Sequence, residues 1–336
     1  MKAPIKRRIT SYDGAQLACV SRTTVSFVLN NVEGINISEG TRQRVLDAAQ
    51  QLNYYPDASA RTLVSGKSHT LGLVIRQDTE QVFVDAFLPQ VVLGLSQACS
   101  ERGFQILINP LAPLERGGYA RLIHEKHVDG IVLSGPRSDD SELLHLVQEN
   151  VPVVLMGQLP GTTIPFVDIN AEDGAKKAVQ HLISLGHRRI GIITNAPFEY
   201  TSAQQRHSGY QQALKEADLP SDTNLVRTGA YTPASGRVAM RSLLQISTPP
   251  TAVFVASDVV CMGAMQAIRR AGLRIPEDIS LVGFDDIALA AYFEPPLTTL
   301  RLPAYQLGWT AGWKLADIIE DRAENSATML DTDLIL

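Results

Sequence analysis

The sequence predicts a small all-α head joined to a larger α/β body built from parallel sheets. The chain has 336 residues, more than the roughly 100–200 of an ordinary domain, so two or three folded units are expected. Residues 1–67 carry a net charge of +4, whereas the whole chain carries −5 and the remainder therefore −9. At about His69 the apolar pattern changes from helical spacing to strand-like runs that alternate with amphipathic stretches.

Three short helices are predicted in the head. Ser11 caps a first helix that ends near Ala18, and Ser21 caps a second that ends near Asn30. A third follows Ser38, where apolar residues recur at i, i+3, i+4 and i+7. The expected core of the head consists of Ile9, Leu17, Val20, Val25, Val28, Leu29, Val45, Ala48, Ala49 and Leu52. Two helices across a tight turn, followed by a packing helix, predict a helix-turn-helix unit.

The excess of positive charge in the head favours an anionic partner, and a solvated basic tail is the plainer alternative. Two positions depart from the usual helix-turn-helix preferences. Gly14 lies inside the first helix, where it costs about 1 kcal/mol relative to alanine. Cys19 occupies the turn, where glycine is common.

The body alternates strands and helices, which predicts parallel sheets covered by helices on both faces and divided between two lobes. The expected strands are apolar runs: 71–75, 105–109, 130–134, 151–157, 189–194, 252–257, 279–285 and a strand-like 329–336. The expected helices cover 86–102, 139–149, 171–185, 202–217, 234–245 and 259–271. Gly103, Gly186 and Gly272 are expected to end three of them. Ligands bind beyond the carboxyl ends of such strands, so polar residues there are the first candidates for a site.

Several functional classes are not supported by the sequence. No run reaches the ~18 apolar residues of a membrane span, and no signal peptide follows the basic N-terminus. The three cysteines lie far apart, which predicts neither disulfides nor a zinc site. A cytoplasmic protein without cofactor or metal is therefore expected.

The sequence also lacks a complete catalytic motif. Ser65–Ser68 resembles the end of a phosphate-binding loop, but the first glycine is missing and a strand follows. His124 and His127 lack the i, i+4 spacing of a helical zinc site. Asp285 and Asp286 have no His, Cys or Lys near them in sequence to complete a catalytic set. These observations predict that the protein is not an enzyme.

Residues 12–30 and 52–63 resemble the DNA-binding start and the hinge of transcriptional regulators of the LacI/GalR family. The motifs VDGIVLSGP, LGHRRIGII, SDVVCMGAMQAIRRAGLRIPEDISLVGFDD and PPLTTL are similar to motifs of the family's body and follow in the family's order. The resemblance covers essentially the whole chain. It implies a two-lobed body like that of periplasmic binding proteins.

This resemblance also implies how the chain is divided. Residues 1–56 would form the helix-turn-helix domain, 57–68 the hinge helix or linker, and 69–336 the effector-binding and dimerisation domain. Within the body, the N-lobe would comprise about 69–168 plus 298–325. The C-lobe would then comprise about 169–297 plus 326–336.

For DNA recognition, the second helix would lie in the major groove of double-stranded DNA. Arg22 is the expected reader of guanine, with Ser21, Thr23 and Ser26 beside it. The residues expected to contact phosphates are Tyr12, Thr24, Asn30 and Tyr54. By resemblance, Leu63 would wedge into the minor groove, and Arg61 would add a backbone or groove contact. Phe27 replaces the basic residue common at its position, so no known operator is transferred.

For effector binding, the resemblance places Arg206 and Asp285 where the family holds ligand hydroxyl or carboxylate groups. Ser202 lies one helical turn before Arg206. The other matched lining positions are Arg76, Asp85, Phe87, Ser134, Ile169, Tyr231 and Ser257. Ser257 stands where asparagine is frequent and Gly157 where aspartate is frequent, so no particular sugar is transferred.

The expected function is therefore that of a sequence-specific transcriptional regulator, usually a repressor. A homodimer would bind a pseudo-palindromic operator under allosteric control by a small metabolite, a sugar being expected. No leucine-heptad tail is seen, which is why a dimer is expected rather than a tetramer. Two rivals remain open: a soluble solute-binding protein that serves transport, and a sugar-processing enzyme.

Overall fold

The computed structural model describes residues 9–30, 32, 34–55, 62, 66–322 and 326–336. The chain separates into two compact units, Met1–Ser68 and His69–Leu336. We call them the head and the body and describe each by itself.

The head contains helices α1 (Ser11–Ala18), α2 (Arg22–Leu29) and α3 (Glu39–Leu52). Ser21 and Ser38 cap α2 and α3 as predicted, each accepting a hydrogen bond from a backbone N–H in the first turn. The cap of α1 was predicted one residue too late. Thr10 holds that position, and its N–H donates to the carboxylate of Asp13 at 2.8 Å.

The head core forms from small and β-branched side chains, whose buried members are Ala15, Ala18, Val25, Val28, Val45 and Ala48. Two predicted core residues, Ile9 and Leu17, are instead 40% and 44% exposed. The inner face of α1 is made by Gly14, Ala15 and Ala18, so Leu17 lies on its outer side. Cys19 ends α1 in the left-handed region with φ 55°.

In the first half of the body, six parallel strands form one sheet in the order β11-β5-β4-β3-β1-β2. The strands are β1 (Thr70–Ile75), β2 (Gln105–Pro110), β3 (Gly130–Ser134), β4 (Val153–Met156), β5 (Phe166–Ile169) and β11 (Ala327–Leu330). The helices of this half are α4 (Thr79–Val84), α5 (Leu88–Glu101), α6 (Gly118–His124), α7 (Ser141–Gln148) and α12 (Ala304–Ile319). We call this half the N-lobe.

The second half of the body, the C-lobe, has a sheet in the order β12-β10-β9-β8-β6-β7, in which only the β10–β12 pair is antiparallel. The strands are β6 (Ile190–Ile193), β7 (Val226–Arg227), β8 (Ala252–Val255), β9 (Ser280–Asp285), β10 (Thr299–Arg301) and β12 (Leu334–Ile335). The helices are α8 (Ala171–Ser184), α9 (Thr201–Glu216), α10 (Pro233–Leu244) and α11 (Asp258–Arg270), with 3-10 turns at Thr223–Leu225 and Ala290–Tyr292.

Apolar clusters fill both faces of each sheet, because the parallel strands are buried on both sides. The helices α10 and α11 pack unusually closely. A Cβ atom added to Gly263 of α11 would lie 1.7 Å from the carbonyl oxygen of Pro233. Gly103, Gly186 and Gly272 follow three helices with φ between 72° and 97°, as predicted for their ends.

The described chain passes between the lobes around Asn170, at 302–303 and at 331–333. The predicted lobe boundaries differ at the last two crossings. Strand β10, expected in the N-lobe, pairs with β9 of the C-lobe, and β11, expected in the C-lobe, pairs with β5 of the N-lobe. The apolar pattern of a three- or four-residue strand does not reveal which sheet it joins.

Candidate functional site

A cleft lies in the body where residues following the strands of both sheets face each other. It encloses about 820 Å³ of empty space, counting its opening to solvent. The N-lobe contributes residues at the ends of β1, β3, β4 and β5, and the C-lobe contributes residues at the ends of β6, β8 and β9. Ligand sites in parallel α/β sheets form at these carboxyl ends.

Nine of the ten predicted effector residues line this cleft: Asp85, Phe87, Ser134, Ile169, Ser202, Arg206, Tyr231, Ser257 and Asp285. The tenth, Arg76, does not. Its guanidinium donates to the carbonyl oxygens of Pro113 at 2.6 Å and Glu115 at 3.3 Å, and lies 3.5 Å from the carboxylate of Asp140. These partners turn Arg76 away from the cleft, so its predicted place in the lining was wrong.

Arg206 is the only cationic side chain among the described residues that line the cleft. It lies on α9, one turn after Ser202, and is 6% exposed. Its guanidinium carbon sits 3.8 Å from the centre of the Phe284 ring, and one Nη donates to the carbonyl oxygen of Ala256. The same Nη is 3.6 Å from the Asp285 carboxylate. Ring, carbonyl and carboxylate thus fix the plane of the guanidinium at the cleft wall.

Asp285 ends β9 with φ 123°, a backbone region that side-chain-bearing residues rarely occupy. Burial raises the pKa of its carboxyl group to about 6, while Arg206 and a hydrogen bond from Ser257 act in the opposite direction. Behind it lies the fully buried Asp258, which accepts from Thr299 Oγ1 at 2.7 Å and from the N–H of Ile287 at 3.1 Å. Burial, with the nearby Asp285, holds the pKa of Asp258 well above its ordinary value.

Asp85 faces the cleft from the N-lobe, just before α5. Its carboxylate accepts from the N–H of Phe87 at 3.0 Å. Burial, and to a smaller extent the charge of Asp285, raise the pKa of Asp85 to about 7, although the N–H of Phe87 and the charge of Arg206 act in the opposite direction. The carboxylates of Asp85 and Asp285 therefore repel each other electrostatically across the cleft.

Sequence reasoning missed several polar residues of the cleft, chiefly Gln77, Asp168, Asn195 and Gln205. Asp168 accepts from Gln158 Nε2 at 2.9 Å, and burial raises the pKa of its carboxyl group. Asn195 Nδ2 donates to Ser202 Oγ at 3.0 Å and to the hydroxyl of Tyr231 at 3.3 Å. The sequence did contain a signal for two of these residues, since Gln77 and Asn195 lie two residues after the ends of β1 and β6.

In the head, α2 presents an exposed polar side. Arg22, Thr23 and Ser26 are exposed, whereas Val25 and Val28 are buried on the opposite side. Arg22 Nε donates to the hydroxyl of Ser11 at 3.3 Å. An exposed arginine at the first residue of such a helix can reach a base edge in the major groove.

The remaining predicted DNA contacts surround this helix. Ser21 and Thr24 are joined through their hydroxyls at 2.9 Å, and Asn30 Nδ2 donates to Ser26 Oγ at 3.1 Å. Tyr12 is 58% exposed, whereas Tyr54 packs partly against the head core. The predicted hinge residues Arg61 and Leu63 lie outside the described residues.

Within the described ranges, no group of three His, Cys, Asp or Glu side chains could hold a metal ion. In that same part of the chain, no helix is long and apolar enough to span a bilayer.

Two family models and one regulator of known name match this chain. A family model described as bacterial regulatory proteins, lacI family, matches residues 10–57, and a periplasmic-binding-protein-like domain model matches residues 179–336. The chain is 36% identical to the HTH-type transcriptional regulator CelR of Thermobifida fusca, over 98% of both chains.

Two solved structures are similar over nearly the whole chain. One is described as a complex of the transcriptional regulator CelR with cellobiose, with 34% identity, a TM-score of 0.75 and coverage of 98% of this chain and 99% of the other. The second is the Lac repressor dimer bound to operator and the anti-inducer ONPF, with 28% identity, a TM-score of 0.83 and coverage of 98% of both chains.

Proposed function

The chain belongs to the LacI family of bacterial regulatory proteins, and from that membership we propose that its cleft binds a sugar that controls how the head engages an operator. The predicted family is thereby confirmed. The protein is a DNA-binding transcriptional regulator, not an enzyme, and it acts on DNA in the cytoplasm. The solute-binding alternative does not account for a helix-turn-helix family match over residues 10–57.

The observation that carries the proposed effector is the Arg206–Asp285 pair on the cleft wall. A guanidinium donates and a carboxylate accepts, and two neighbouring hydroxyls of a sugar ring can satisfy both at once. Phe87 and Tyr231 supply ring faces against which the apolar face of a sugar can pack. The structurally similar CelR was solved with cellobiose, which makes a β-linked glucose disaccharide the first ligand to test.

For the head, we propose that Arg22 contacts a base while Thr23 and Ser26 line the groove beside it. A homodimer would present two such helices to a pseudo-palindromic site, as the operator-bound Lac repressor is described as a dimer. The phosphate contacts proposed for Tyr12, Thr24, Asn30 and Tyr54 would fix the register. The proposed hinge at 57–68, with Leu63 as wedge, would bend the site.

The mechanism follows from linkage. A sugar that touches both lobes binds one lobe arrangement better than another, and the head responds if that arrangement changes how paired hinges fit DNA. A hundredfold difference in affinity between arrangements corresponds to about 2.7 kcal/mol, enough to change operator occupancy.

The test begins with selection of binding sites from a randomised duplex pool at a stated salt concentration, because phosphate contacts make affinity steeply salt-dependent. We expect enrichment of a two-fold symmetric sequence. Operator affinity is then measured by fluorescence anisotropy with and without cellobiose. Arg206→Met should leave operator affinity intact and remove the sugar response, and Arg22→Ala should do the reverse. Loss of DNA binding in Arg206→Met would mean that the residue supports the fold rather than the ligand.

A further inference from the structure

The charge balance of the cleft is strongly uneven. Three carboxylates, those of Asp85, Asp168 and Asp285, face it, and Arg206 is the one cation among its described lining residues. Each of these four side chains is at most 9% exposed. Bringing a negatively charged ligand group into such a site is costly, since buried charges are screened by water much less than exposed ones.

The carboxylates are spread around the ligand space rather than collected at one end. Asp85 precedes α5 and Asp168 lies on β5, both in the N-lobe, whereas Asp285 ends β9 in the C-lobe. Arg206 acts electrostatically on all three, so each lies within its range. The positive charge of Arg206 therefore already interacts with three carboxylates, and the described lining of the cleft offers an anionic ligand no second cation.

Two uncharged amide oxygens of the cleft also lack hydrogen-bond donors in the described part of the chain. Gln77 Oε1, from the N-lobe, and Asn195 Oδ1, from the C-lobe, are buried acceptors without a hydrogen-bond partner among the described residues. A buried acceptor left unpaired costs about 1–3 kcal/mol, so a ligand that donates to it is favoured. In the same part of the structure, Arg206 Nε is a buried donor without a partner.

One functional group suits this set. A hydroxyl donates to the carboxylates and amide oxygens and also accepts from a guanidinium, whereas a carboxylate or phosphate only accepts at neutral pH and an ammonium only donates. We propose that Asp85, Asp168 and Asp285 together with Gln77 and Asn195 act as a charge filter that admits uncharged polyols and rejects their acidic derivatives. The inference rests on the proposed function, because it specifies which sugars the same cleft takes.

Asp168 is the specificity residue that this inference adds. Its carboxylate is held by Gln158 and its own strand, and it faces the cleft without contacting Arg206 through a hydrogen bond. Asp168→Asn keeps the shape and removes one negative charge. The matched control is Glu80→Gln, which removes one negative charge from the exposed surface of α4, outside the cleft lining.

The experiment measures binding to the full-length chain by isothermal titration calorimetry at pH 7.5. The probes are two matched pairs, cellobiose with cellobiouronic acid and glucose with glucuronate. For the wild type we expect the neutral member of a pair to bind at least about tenfold more tightly than the acid. Asp168→Asn should narrow that ratio by about tenfold, and Glu80→Gln should leave it unchanged.

The outcomes separate the two claims. An acid that binds as tightly as its neutral partner, or an unchanged ratio in Asp168→Asn, overturns the charge filter while leaving a sugar-binding cleft. Failure of every sugar to bind overturns the proposed function, and the filter with it. Thermal unfolding of each ligand-free variant checks that a narrowed ratio does not follow from a damaged fold.

Discussion

Replacing Asp85 by asparagine should make the N-lobe more stable at alkaline pH than the wild type. The Asp85 carboxyl has a pKa of about 7 in the folded chain, against an ordinary value of 3.8, chiefly because it is buried. Between these values the folded chain holds a proton that the unfolded chain has released. The free energy of unfolding therefore falls as pH rises from about 4 to about 7, and the full cost is present above pH 7.

The size of the effect follows from the difference between the two pKa values. About three pH units at 1.36 kcal/mol each give an upper limit of about 4 kcal/mol for Asp85. Asparagine is uncharged at every pH and keeps an oxygen that can accept from the N–H of Phe87. The variant should thus exceed the stability of the wild type by about 1–2 kcal/mol at pH 5 and by about 4 kcal/mol at most at pH 8.

Urea unfolding of the full-length chain provides the assay. Both tryptophans, Trp309 and Trp313, lie on α12, which packs against the N-lobe sheet, so their fluorescence reports that lobe. Unfolding curves are recorded at pH 5, 6.5 and 8 for the wild type, Asp85→Asn and the surface control Glu80→Gln. If Asp85→Asn and the wild type lose stability equally between pH 5 and 8, Asp85 is not the buried acid that the structure describes.

Three further predictions concern the packing and the head. Gly263→Ala should destabilise the C-lobe by about 3 kcal/mol, because the new Cβ would lie 1.7 Å from the carbonyl oxygen of Pro233. Gly14→Ala should stabilise the head by about 0.5–1 kcal/mol, since its Cβ would make only ordinary contacts at 3.9 Å. Denaturant unfolding measures both changes in the free energy of unfolding, and two changes of the same sign would contradict the reasoning. Cys19→Gly should stabilise the head by up to about 1 kcal/mol, because φ is 55° there; a drop in melting temperature would argue against backbone strain. Arg22→Ala should cost about 1–3 kcal/mol on the selected operator and much less on unrelated duplex, so a uniform loss on both would indicate a phosphate contact instead.

The fold was predictable wherever an element buries a continuous apolar surface. Strands such as β1 and β3, and helices such as α8 and α11, were placed within a residue or two because their patterns are long and bounded by turn residues. The strands β5, β7 and β10 and the short helices α4 and α6 were not predicted, since so few residues carry no measurable period. The same brevity explains why β10 and β11 were assigned to the wrong lobes.

The site was predictable in part for a different reason. Family motifs locate Arg206 and Asp285, and the structure brings both to one wall of the cleft. Arg76 was predicted to line the cleft, but its guanidinium donates instead to the carbonyl oxygens of residues 113 and 115. No sequence pattern encodes those contacts. Gln77 and Asn195 could have been found from the rule that residues after parallel strands face the ligand.

The lobes contact each other directly at one edge of the cleft. The hydroxyl of Tyr200, in the C-lobe, donates to the carbonyl oxygen of Arg76, in the N-lobe, and the N–H of Ser138 donates to the carbonyl oxygen of Glu199 at 2.8 Å. Arg137 also lies over the Tyr200 ring, 4.9 Å from its centre. These contacts contribute to the free energy of this lobe arrangement, and a sugar shifts the balance towards it by adding contacts that this arrangement alone permits. The carboxylates of Asp85 and Asp285, which repel each other across the cleft, are where donated hydroxyls would add most.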